Sequence, residues 1–128
     1  MLQLRYPRVW WAFGWLMVAG VVIASLVPAR TVEMLLGNLS DKLEHGAAYA
    51  ALMIWFGGMF RRSRQAWVGI ALVVLGGVIE LLQGLTPTRT PDVLDLAADS
   101  IGVLIALALS LTLLHGWCQR IERLFTVR

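Results

Sequence analysis

Residues 91–114 read PDVLDLAADSIGVLIALALSLTLL. At ~1.5 Å per residue, a helix of this length crosses ~30 Å of hydrocarbon. Its first part nevertheless carries three acids. Asp92, Asp95 and Asp99 recur at i, i+3 and i+7, so a helix places them on one face. Acids within a spanning segment are rare, and they face protein or a water-filled cavity rather than lipid. The stretch therefore predicts a helical membrane fold and a polar partner surface elsewhere in the chain. Thr90 as N-cap with Pro91 at the first helical position marks the expected start. Ala98, Gly102 and Ala106 form a small-residue ridge suited to close helix approach.

Three more apolar runs precede it, at 10–27, 43–60 and 66–85. The chain is 59% hydrophobic and 15% charged, too apolar for the surface of a soluble domain of this size. The expected fold is all-α: an integral membrane four-helix bundle, one domain over residues 1–128, with spans at about 10–27, 43–60, 66–85 and 91–114. Trp10, Trp11 and Trp15 open the first run as interfacial anchors would. Val27-Pro28-Ala29 resembles a signal-peptide cleavage site, but the run is longer and richer in Trp than such peptides, which favours a retained span. Residues 28–40 read as a connector. Asp41-Lys42-Leu43-Glu44 reads as a capping box with Asp41 as N-cap. Gly46, Ala47, Ala50 and Ala51 give the second run a face that another helix can approach closely. His115 to Arg128 is a short tail with amphipathic character.

Basic residues set the expected orientation. With the N-terminus inside, Arg5, Arg8, Arg61, Arg62, Arg64, Arg120, Arg123 and Arg128 fall on the cytoplasmic side, against Arg30, Lys42 and Arg89 outside. Over short loops this bias predicts both ends in the cytoplasm. The net charge of +3 forms no basic stripe with polar readers, so no nucleic-acid partner is expected. The single cysteine, Cys118, cannot form an intrachain disulfide.

Three runs bring ionisable groups to one level. Lys42, His45 and Tyr49 begin the second, Glu80 and Gln83 end the third, and Arg89 precedes the aspartates of the fourth. Each such group costs ~2.5–3.5 kcal/mol near mid-membrane on insertion scales, so a shared pocket is the economical arrangement. The chemistry suggests roles for them. His45 is the candidate acid–base group, since its pKa lies near neutrality, with Glu80, Asp95 and Asp99 completing the candidate catalytic set. Lys42, Tyr49, Gln83 and Arg89 are the candidate ligand-binding residues, with Lys42 and Arg89 suited to a phosphate. His45, Glu80, Asp95 and Asp99 could alternatively hold Mg²⁺, Mn²⁺ or Zn²⁺, although no compact ligand spacing names a metal or any other cofactor. No nucleophile elbow and no phosphate-cradling glycine loop is present.

Asp41-Lys42-x-x-His45-x-x-x-Tyr49, then Glu80-x-x-Gln83, then Arg89, then Asp95-x-x-x-Asp99-x-x-Gly102 resembles the VanZ-like family of bacterial membrane proteins over about residues 38–110. The resemblance implies a small helical cell-envelope protein of the bacterial inner membrane. The family's namesake is associated with resistance to a glycopeptide antibiotic. Family members often carry Asn where this chain has Asp99, which makes the pocket more acidic here. The expected function is a polar pocket at the outer membrane–water interface that binds an anionic, lipid-linked or glycopeptide-related molecule. A proton-responsive transporter or accessory subunit, and a purely structural polar network, are the alternatives. Expected partners are membrane lipids, a lipid-linked envelope precursor and a second copy of the chain in a homo-oligomer.

Overall fold

The computed structural model describes residues 1–36 and 40–125, and among these every regular element is a helix. In chain order these are α1 (Pro7–Leu26), α2 (Ala29–Leu36), α3 (Asp41–Met59), α4 (Arg62–Gln83), α5 (Val93–Leu111) and α6 (Trp117–Leu124). By length and apolarity, α1, α4 and α5 can each cross a membrane. The 19-residue α3, expected as a further span, is long enough, but its first turns hold Asp41, Lys42, Glu44 and His45 and lower its apolarity.

The boundaries follow local chemistry. Pro28 ends α1: the residue before a proline is pushed out of the helical region, and Val27 is extended at φ −74°, ψ 157°. The expected connector is partly helical as α2, which turns Val32 inward. The predicted capping box does not form. Ser40 is the N-cap of α3, without a side-chain bond, and Asp41 lies inside the helix. Asp41 and Glu44 still complement the dipole of the first turn. The start of α5 is also displaced from Thr90. Asp92 is its N-cap, and its carboxylate accepts from the Leu94 amide at 2.8 Å. Aspartate caps at least as well as threonine, so the later start satisfies the first-turn donors equally well.

Helix α3 is central and packs on α1, α4, α5 and α6. Its partnership with α5 is the closest because two glycines face each other: a Cβ on Gly102 would collide with the Gly46 carbonyl. In lipid, where burial between helices gains little from the hydrophobic effect, such close backbone approach is what makes packing favourable. The small-residue expectation thus holds at Gly46 and Gly102. Below this contact, Tyr49, Leu52, Met53, Phe56, Leu72, Val103 and Ala106 form the core.

The tail folds back rather than running free. Gly116, at φ +67°, occupies the left-handed region and turns the chain into α6. Cys118 is then fully buried, and Trp117 donates to the Ile54 carbonyl at 2.9 Å. Glu122 reaches the start of α1, where its carboxylate accepts from the Arg5 amide (2.7 Å), the Tyr6 amide (2.9 Å) and Trp10 Nε1 (2.8 Å). Tyr6 is the N-cap of α1 and makes no side-chain cap bond; Glu122 instead ties down the two residues that lead into the helix.

Candidate functional site

The α5 aspartates line one face, as their spacing requires, and differ in depth. The Asp92 side chain is 43% exposed at the rim, whereas Asp95 and Asp99 are buried. One turn of α3 lies opposite. Lys42 pairs with both Asp92 and Asp95. His45 Nδ1 lies 3.0 Å from Asp99 Oδ1, and Nε2 lies 3.7 Å from Asp95 Oδ2. The first distance is a hydrogen bond and the second is too long to be one. Asp99 therefore orients the imidazole, and Nε2 is the nitrogen left for another partner.

The remaining expected residues divide. Tyr49 completes the α3 face, buried, with no hydrogen-bond partner for its hydroxyl. Glu80 does not join His45. One of its oxygens accepts from the Asp92 amide at 2.9 Å, and the other is buried without a partner. Gln83 donates to the Ser25 carbonyl at 2.9 Å. Arg89 donates from Nε to the Val27 carbonyl at 2.9 Å and from Nη2 to the Ala24 carbonyl at 3.2 Å. The last carbonyls of a helix lack intrahelical partners, and a cation there also complements the dipole. Gln83 and Arg89 thus spend donors on the end of α1. Of the two cations expected to suit a phosphate, Lys42 is held by two aspartates, and Arg89 keeps only Nη1 towards Asp41, at 4.0 Å.

A cavity of about 90 Å³ opens between these groups and the end of α1. Asp41, Glu44, His45, Tyr49 and Arg89 supply its polar wall; Ala24, Ser25 and Val32 close it. The expected metal set is not assembled as read from the sequence, because Glu80 and Asp99 are committed elsewhere. In its place, Asp41, His45 and Asp95 each offer a ligand atom, all within 4.8 Å of one another. Ligands on a single ion lie roughly 3–4 Å apart at ordinary bond lengths, so a small inward movement would close the set. Asp41 was read first as a cap and was left out of the candidate site residues, yet it sits one turn before His45 and on the same face. That spacing is the signal that could have marked it.

A second polar cluster lies at the opposite end, where the sequence suggested only apolar packing. Gln65 is fully buried and donates to the Gly57 carbonyl at 2.7 Å, capping the end of α3. Ser110 is buried beside it and His115 lies 3.5 Å from Gln65 Nε2. Burial, then Arg62 and Arg120, hold the His115 imidazole below its ordinary range, so it is neutral at pH 7. Leu52, Met53, Leu72 and Val103 separate the two clusters. The interior along this route is apolar, and the two clusters do not join.

Three apolar helices long enough to cross a bilayer, packed around buried charge, define the class: an all-helical membrane protein. The chain matches the VanZ/LLP1 family model over residues 6–115, and it belongs to that family. Comparison with curated proteins and with solved structures gives no match.

Proposed function

We propose that this is a four-span protein of the bacterial inner membrane, both ends cytoplasmic. Its chamber holds a divalent metal ion near the outer surface and through it binds the phosphate of a lipid-linked envelope molecule. The basic residues clustered at one end support the orientation. α3 supports a fourth span: its 19 residues extend about 28 Å, and it packs on three other long helices.

The observation that carries the reading is how His45 is held. Metal-binding histidines present one ring nitrogen and donate the other N–H to a carboxylate, which fixes the tautomer. Asp99 stands in that second position, 3.0 Å from Nδ1. Nε2 is left towards Asp95, with Asp41 in reach, and Lys42 steadies the other Asp95 oxygen. One imidazole with carboxylates suits Mn²⁺, Mg²⁺ or Zn²⁺. An acid-lined cavity repels a bare phosphate. A bound cation inverts the local sign, and Arg89 Nη1 then stands beside it as a second anchor. The cavity, about 90 Å³, suits an ion and a phosphate-sized group, which leaves the isoprenoid or acyl chain in the bilayer.

Mn²⁺ titration of the detergent-purified protein, followed by electron paramagnetic resonance, tests this. One site is expected, weakened at least about tenfold by His45→Ala or Asp41→Asn, since loss of a ligand exceeds the ~10-fold cost of losing an outer-shell partner. The remote Ser110→Ala variant should leave it unchanged. If neither Mn²⁺, Mg²⁺ nor Zn²⁺ binds, the metal site is wrong and the charges serve to set helix register. Isoprenoid-phosphate binding that is equal with and without metal would separate the ligand from the ion and refute the bridging role.

A further inference from the structure

At the other end of α4 the molecule has a second, larger concavity of about 500 Å³. Its walls are Trp11 and Trp15 of α1, Phe56 and Phe60 at the end of α3, and Arg64 and Trp67 of α4, with small apolar residues deeper in. No acid lines it. We propose that this groove is a binding site for an anionic diacyl phospholipid, with its phosphate on Arg64 and one acyl chain among the aromatic rings. The site is separate from the chamber and does not depend on the function proposed for it.

The six tryptophans divide in a way that points to a ligand. Trp10, Trp55 and Trp117 pack tilted and edge-on against one another and line neither of the two cavities described, and each indole N–H has a protein acceptor: Glu122 for Trp10, the Trp10 carbonyl for Trp55 and the Ile54 carbonyl for Trp117. Trp11, Trp15 and Trp67 line the groove, and none of their N–H groups has a partner among the described residues. An indole N–H with apolar surroundings on one side seeks an acceptor at the membrane–water boundary. Glycerol ester carbonyls and phosphate oxygens are the acceptors found at that depth.

Charge selects among lipids. Arg61, Arg62 and Arg64 are exposed at the start of α4 and form no ion pair among the described residues. The first turn of α4 has no acid and no side-chain cap, so its dipole adds to the positive field. Basic pockets between membrane helices are where anionic head groups bind. The same cations disfavour a second copy as occupant. A two-fold interface over this groove would set one arginine cluster against an identical cluster at the same depth.

The test is tryptophan quenching by phospholipids brominated on the acyl chain, with the full chain in mixed micelles. At equal mole fraction, brominated phosphatidylglycerol should quench more than brominated phosphatidylcholine, by about fivefold in apparent affinity for one arginine near the surface. Arg64→Gln should abolish that preference while both lipids still quench, and Arg64→Lys should restore most of it. Ala71→Phe, which narrows the groove without adding a fluorophore, should weaken quenching by both lipids. Circular dichroism and burial of Cys118 check the fold of each variant. Equal quenching by the two lipids in the wild type overturns the proposal. So does a preference unchanged in Arg64→Gln, or the absence of quenching by either lipid in a dimeric protein.

Discussion

Gly102→Ala should damage both packing and the site. A Cβ at position 102 would press into the Gly46 carbonyl and stand 2.9 Å from its carbon and 3.0 Å from Gly46 Cα. Favourable carbon contacts lie at ~3.5–4.0 Å, so α3 and α5 must part by roughly 1 Å. His45 precedes Gly46, and Asp99 is one turn from Gly102. The same movement stretches their 3.0 Å bond to roughly 4 Å, beyond hydrogen-bonding range. Overpacking costs about 1–3 kcal/mol, and the broken bond to a buried carboxylate about 1.5–3 more. Alanine's better helix propensity returns about 1 kcal/mol, for a net loss of roughly 2–5 kcal/mol. The controls lie in the same chain. A Cβ on Gly20 or Gly77 meets nothing within 4 Å, so Gly20→Ala and Gly77→Ala should stabilise by up to about 1 kcal/mol. Equilibrium unfolding in mixed micelles measures all three variants, and side-chain nitrogen resonances of His45 report the bond to Asp99. A Gly102→Ala protein within about 0.5 kcal/mol of wild type, the usual range for inconsequential changes, would refute the packing argument. So would one that shifts in the same direction as Gly77→Ala.

Two further predictions concern the folded tail. Glu122→Gln should cost about 1–2 kcal/mol at pH 7, because a charged acceptor for the Arg5 and Tyr6 amides, just ahead of α1, becomes a neutral one. Burial alone would raise the Glu122 carboxyl, but the Arg5 and Tyr6 amides and the Trp10 indole together hold it below its ordinary range. Its stabilisation is therefore complete above the normal glutamate pKa and is lost as pH falls through the lowered folded value. The gap between wild type and Glu122→Gln in unfolding free energy should narrow on acidification; a gap that stays constant from neutral pH down to the acid limb would show that the contact carries no charge. Burial also pushes the Cys118 thiol up to about 12. A maleimide should leave Cys118 unmodified at neutral pH until the protein unfolds, and labelling at the rate of a free thiol would show that α6 does not dock.

The long helices were legible because apolar length is a one-dimensional signal. The convergence of Lys42, His45, Asp95 and Asp99 was legible because helical spacing puts each pair on one face. What escaped the sequence depends on which helix end meets which loop. Arg89 carries the same charge whether it holds a phosphate or the last carbonyls of α1, and only the fold brings Ala24 and Val27 to it. Glu80 reads as a buried acid in search of a base, yet the displaced start of α5 gives it the Asp92 amide. The two cap assignments failed by one and two residues, since Ser40 and Asp41, or Thr90 and Asp92, offer nearly equivalent chemistry. α2 has too little apolar length to announce itself and is seen only through Val32 on the cavity. Gln65, just ahead of the third run, and Ser110, within the fourth, carry no sequence signal because nothing in their spacing shows that α3 ends beside them.

The fastening of α1 also bears on how the molecule is made. Of the described helices α1 is synthesised first, and side chains far along the sequence help to fasten both of its ends. Its C-terminal carbonyls wait for Gln83 and Arg89, about 60 residues later. The amides that lead into it wait for Glu122, 117 positions beyond Arg5. α1 therefore enters the bilayer as a provisional segment and becomes part of the protein in two separate events. The second comes only once α6 has been synthesised. A nascent chain truncated before α6 would carry every apolar helix and the complete chamber, but its first helix would still be open at one end.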